Sequence, residues 1–79
     1  MPVWQPAYIG LGSNLSDPAA QVRQALHGLA GLPRTLCVVV SRLYASHPMG
    51  PVSQPDFVNA VAGVLTRLTA LQLLRELRQ

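Results

Sequence analysis

Residues 44–59, YASHPMGPVSQPDFVN, separate two runs of strand character and carry Pro48, Gly50, Pro51 and Pro55. Proline fixes φ, lacks an amide donor and pushes the residue before it towards extended geometry. This stretch is therefore neither helix nor a two-residue hairpin turn. A loop of about ten residues exceeds the usual hairpin connection of about two to five. Long loops in small domains either carry function or simply connect, and the prolines leave this one few conformations. On these residues alone both readings stay open.

Working outward, residues 57–66 (FVNAVAGVLT) read as a strand whose period of two puts Phe57, Asn59, Val61 and Leu65 on one face. Asn59 on an apolar face needs partners, because an unsatisfied buried amide costs about 1–3 kcal/mol. Upstream, residues 35–44 (TLCVVVSRLY) are β-branched and continuous at first, which predicts a strand buried on both faces in its first half. Before it, Asp17 and Pro18 make a helix start, with Asp as N-cap and Pro at the first helical position. Val22, Ala25, Leu26 and Leu29 then repeat at helical spacing, and Gly31 with Pro33 is predicted to end the helix. Residues 7–11 (AYIGL), ahead of the Gly12-Ser13-Asn14 turn cluster, read as the first strand. At the other end, Thr69 and Gln72 form a capping box, and Leu71, Leu74 and Leu77 with Leu73 predict an apolar helix face that runs on to Gln79. The order is β-α-β-β-α. That is the ferredoxin-like split βαβ plan of an α/β (α+β) domain, truncated before an expected fourth strand.

The chain has 79 residues, 49% hydrophobic and only 11% charged. So small a domain has a thin core, and its low charge predicts apolar surface that something else covers. Six arginines, no lysine and three acids give a net charge of +3. The arginines are dispersed, and the four aromatics do not interleave with them, so a nucleic-acid partner is not expected. A lone Cys37 in an apolar run reads as a small buried hydrophobe in a reducing compartment. No apolar run approaches the 18 or so residues of a membrane span, and MPVWQP has no export pattern, so a cytoplasmic location is expected. Gly10 and Gly12 lack the third glycine of a dinucleotide fingerprint, and no Walker motif is present.

Three stretches coincide in order and spacing with one family. AYIGLGSNL at the N-terminus, the YxSxPxGP of residues 44–51 and QPDFVNAV at 54–61 together resemble 6-hydroxymethyl-7,8-dihydropterin pyrophosphokinase, a folate-pathway enzyme. The resemblance covers almost all of residues 7–79 and implies a ferredoxin-like fold. It implies transfer of pyrophosphate from ATP to the pterin's hydroxymethyl oxygen with Mg2+. It also places Gly12, Ser46, Met49, Phe57 and Asn59 at the pterin. Phe57 suits stacking on a flat ring, Asn59 suits the pyrimidine edge, and Met49 suits an adaptable apolar wall. Their bland alternatives are a core aromatic for Phe57 and a strand amide for Asn59. By the same resemblance Asn14 ties the first turn to the pocket, and His47 stands where the family often has proline.

The family's magnesium ligands, a D-x-D pair, and its catalytic arginines would lie beyond this stretch. Asp17, Asp56 and Glu76 are the only acids, and no two make a hard-cation site. Residues 1–79 are therefore expected to be the N-terminal, pterin-binding portion of one pyrophosphokinase domain, with no catalytic residue of their own and turnover only in a longer protein. The alternative expectation is a non-catalytic interaction module that dimerises, or pairs with a partner, through an open sheet edge.

Overall fold

The computed structural model describes residues 3–51 and 53–78. The end of the last helical pattern at Gln79 and the first two residues of MPVWQP lie outside the described residues.

The strand that closes the long loop is the centre of the sheet. Strand β4 (Phe57–Thr66) pairs antiparallel along one side with β1 (Gln5–Ser13), from Gln5 opposite Thr66 to Ser13 opposite Val58. Along its other side it pairs with β2 (Thr35–Val40) and then with β3 (Tyr44–Ser46). Strands β1 and β2 thus run parallel with β4 between them, bridged by helix α1 (Pro18–Leu29), and helix α2 (Ala70–Leu77) follows β4. This is a split βαβ unit, and the α+β architecture agrees with the plan read from the sequence.

The single strand expected over residues 35–44 is two strands. The pairing of β2 with β4 shifts register between Cys37 and Val39, as a bulge does, and ladder pairing stops at Val40. Ser41 bridges the break. Its backbone N–H donates to the Val61 carbonyl, and its Oγ accepts the Val61 N–H, both at 2.8 Å. A side-chain oxygen standing in for a backbone carbonyl leaves the chain free to bend before β3 resumes opposite Asn59.

Only one face of the sheet is covered among the described residues. Ile9, Leu29, Ala62 and Val64 form the buried cluster, with Ala7, Leu11, Leu26, Leu32 and Cys37 packed against it. On the other face Tyr8 is 79% exposed, and Leu36, Val38 and Val39 are also open. Burial of the first half of residues 35–44 on both faces is therefore not observed; β2 lies at a sheet edge with no layer behind it. Helix α2 buries Leu73, while Leu71, Leu74 and Leu77 are exposed. Eight residues are too few for a helix stable alone, so α2 depends on Leu73 and on its capping box, Thr69 with Gln72.

Local signals explain the joints. Asp17 caps α1 from a left-handed conformation (φ 52°), its carboxylate accepting the Ala20 N–H. At the other end Gly31 is not the left-handed residue. Three-residue bonds (Ala30 to His27, Gly31 to Gly28, Leu32 to Leu29) tighten the exit, and the left-handed turn falls on Arg34, φ 50°. Where β2 and β4 meet beyond it, the buried hydroxyls of Thr35 and Thr66 lie 2.8 Å apart. Thr35 donates to the Pro33 carbonyl, so Thr66 is the donor between the two.

Candidate functional site

At the opposite end of β4, Asn59 faces Gly12 on β1 and Tyr44 on β3. Its Nδ2 donates to Ser46 Oγ at 2.8 Å and, more weakly, to the Tyr44 carbonyl at 3.4 Å. Its carbonyl oxygen lies over Gly12, only 2.9 Å from where a Cβ at that position would stand. Gly12 has no positive φ, so the position demands space, not backbone freedom. Both amide hydrogens of Asn59 are engaged by the protein, which leaves Oδ1 to accept and the long bond to Tyr44 as the exchangeable donor. Ser46 accepts from Asn59, and its own hydroxyl hydrogen points elsewhere to donate.

The loop leaves directly from this cluster. Ser46 pairs with Phe57 in the ladder, and the next residues out, His47 and Asp56, are joined by an Nδ1 to Oδ1 contact of 2.9 Å. From the turn after β1, Asn14 Nδ2 donates to Gln54 Oε1 at 3.4 Å and to the Pro55 carbonyl at 3.5 Å. Gly50 takes φ 112°, a conformation that side chains rarely adopt. Phe57 is half-buried and lines an open hollow of about 400 Å³ with Gly12 of β1, with Asn14 and Leu15 of the following turn, and with Val22 and Ala25 of α1.

The fold therefore brings Gly12, Ser46 and Asn59 into one cluster and sets Phe57 at its margin. Met49 is 94% exposed and is not gathered to them. Sequence reasoning missed the Tyr44 carbonyl, which no side-chain pattern announces. It also missed Gln21, whose amide spans the first turn by accepting from Ser13 Oγ and donating to the Ser16 carbonyl. A glutamine off the apolar stripe, one helical turn after an N-cap, was the available signal.

The acids are apart, and two of them are occupied. Asp17 caps α1, Asp56 meets His47 and Glu76 lies on α2; among the described residues no three His, Cys, Asp or Glu side chains are grouped to hold a metal ion. Arg34, Arg67 and Arg75 belong to the far end, roughly 23 Å along β4 from Asn59 at about 3.3 Å per residue. There the Arg67 guanidinium lies over the Trp4 ring, 5.5 Å from its centroid, a pairing not expected from the dispersed aromatics. No helix among the described residues is long and apolar enough to cross a membrane.

Comparison with known proteins bears on this geometry. A family model described as 7,8-dihydro-6-hydroxymethylpterin-pyrophosphokinase matches residues 8–79. A Haemophilus influenzae protein named 2-amino-4-hydroxy-6-hydroxymethyldihydropteridine pyrophosphokinase is 49% identical over 73 residues, 92% of this chain and 46% of its own length. The Pseudomonas aeruginosa protein of the same name is 49% identical over 74 residues, covering 94% and 46%. The bifunctional protein FolKE of Lactococcus lactis is 37% identical over 70 residues, 89% of this chain and 20% of that protein. The chain thus spans about half the length of the first two relatives.

Proposed function

The chain belongs to the 7,8-dihydro-6-hydroxymethylpterin-pyrophosphokinase family, and from that premise we propose that it supplies the pterin-binding part of a pyrophosphate transfer in folate biosynthesis. In that reaction the hydroxymethyl oxygen of 6-hydroxymethyl-7,8-dihydropterin attacks the β-phosphorus of ATP. A new P–O bond forms, AMP leaves, and the hydroxyl proton passes to solvent.

The observation that carries the reading is the Asn59 amide, held over Gly12 by Ser46 and the Tyr44 carbonyl at the root of the loop. A flat heterocycle with adjacent donors and acceptors would take Asn59 Oδ1 and the Ser46 hydroxyl along its edge. Phe57 at the margin would offer its ring, and Met49 would have to fold inward from solvent to add a wall. The magnesium that the reaction implies finds no fit among the described residues, where Asp17, Asp56 and Glu76 are dispersed. Among the described residues the chain offers a pterin site but no carboxylate cluster to hold a cation against a triphosphate.

The test is a pterin titration of Asn59→Ala and Phe57→Ala. Asn59→Ala leaves the pterin edge unpaired and should cost about 1–3 kcal/mol of affinity. Phe57→Ala should lose about 0.5–1.5 kcal/mol of stacking beyond simple burial. Unchanged pterin affinity in a folded Asn59→Ala protein would make Asn59 a strand amide and end the assignment.

A second reading has its own observation. The outer edge of β1 and the uncovered face bearing Tyr8, Leu36 and Val39 suit pairing with another chain, so an interaction module that self-associates is the alternative.

A further inference from the structure

We propose that His47 and Asp56 form a clasp that closes the loop between β3 and β4, making His47 a positioning residue for the Ser46–Asn59 cluster. Three observations carry this. The pair is the next rung beyond the ladder, immediately outside Ser46 opposite Phe57. Its 2.9 Å separation is well inside hydrogen-bond range, whereas the other ties to the loop, from Asn14, are 3.4 and 3.5 Å, near the limit. And each clasp residue is the chain neighbour of a site residue, His47 of Ser46 and Asp56 of Phe57, so slack in the pair passes directly into the site.

A proline at position 47 would stiffen this corner by fixing φ, with no side-chain donor. Histidine does it through a contact instead, the carboxylate accepting from the ring Nδ1–H. A contact can open and a fixed φ cannot. The His47 side chain is 88% exposed and that of Asp56 52%, so water competes for both groups and the tie is weak. An exposed pair of this kind shifts a closed-to-open ratio by about two- to fivefold, not by orders of magnitude. The mechanics of the clasp stand on geometry alone; its consequence for a ligand rests on the pterin reading above.

The experiment measures both in the same protein: thermolysin nicking within residues 48–55, located by mass spectrometry, and titration with 6-hydroxymethyl-7,8-dihydropterin. His47→Ala and Asp56→Ala should each speed nicking and weaken pterin binding by about two- to fivefold, and the double variant should be no worse than either single one. His47→Asn, whose amide places a donor near the lost Nδ1, should restore both. Nicking of His47→Ala at the wild-type rate would overturn the clasp. Faster nicking with unaltered pterin affinity would overturn the positioning role. A wild-type protein that binds no pterin, while His47→Ala still nicks faster, would uphold the clasp and sink the pterin reading instead.

Discussion

Gly12→Ala is the sharpest perturbation available at the candidate site, because it adds one methyl group without removing any polar atom. That methyl would stand 2.9 Å from Asn59 Oδ1, closer than a real Cβ sits to any neighbour, so something must move. The Asn59 amide is the movable partner, and it is pinned by its 2.8 Å bond to Ser46 Oγ. Swinging it aside breaks that bond, for a net loss of about 1 kcal/mol of stability. In a domain of this size, that lowers Tm by about 4–8 °C. Pterin binding should suffer more than stability, because the displaced Oδ1 leaves the ligand edge unpaired, at about 1–3 kcal/mol or roughly 5- to 150-fold in Kd. Urea melts and pterin titrations read the two effects separately. Gly10→Ala is the control: a Cβ there meets nothing within 4 Å, so stability should hold or rise by about 0.4–1 kcal/mol. A decisive cycle adds Asn59→Ala. Without the amide there is nothing for the methyl to strike, so the double variant should be no worse than Asn59→Ala alone. Additive losses in that cycle would refute the reasoning, since they would place the damage of Gly12→Ala outside Asn59.

Three further outcomes are expected. Purified 1–79 should form no AMP from ATP and the pterin with magnesium present, because its acids are dispersed; turnover above background, followed by chromatography of nucleotides, would show that the acids were misjudged. Sedimentation at micromolar concentration should reveal self-association through the uncovered face, which Tyr8→Lys should reduce; a sharp monomer boundary for wild type would count against it. Asp17→Ala should cost about 1–2 kcal/mol by urea melt, losing the cap and straining a left-handed position, whereas Asp17→Asn should cost little.

What the sequence disclosed, and what it hid, follows from the range of each interaction. Caps are local, and both were legible: Asp17 with Pro18, and Thr69 with Gln72, act within one turn. The alternation of residues 57–66 was legible because a central strand repeats one environment along its length. The break near Ser41 was not, since a serine that takes a backbone N–H from Val61 looks like any polar residue at a strand end. Gly31 and Pro33 marked the end of α1, which stops at Leu29, but not the residue that turns left-handed. Glycine permits a left-handed turn without requiring one, and the turn went to Arg34, where Thr35 and Thr66 lock the adjoining strand ends together. The candidate site was legible in that Asn59, an amide demanding partners, has them, but their identity depended on the register of β3, which three residues cannot specify.

The kinked side of the sheet has a consequence for how copies could stack. The β1 edge is one nine-residue strand, blunted only by Pro6, whereas the opposite edge is cut into six- and three-residue pieces by the bulge and by Ser41. Head-to-tail growth of a fibril needs two competent edges on every subunit, and this one offers a single continuous edge. Pairing between copies would therefore terminate when two β1 strands met across a two-fold axis, giving a finite dimer with both good edges consumed. In such pairing the broken strand would act as a chain terminator, limiting stoichiometry with no contact of its own.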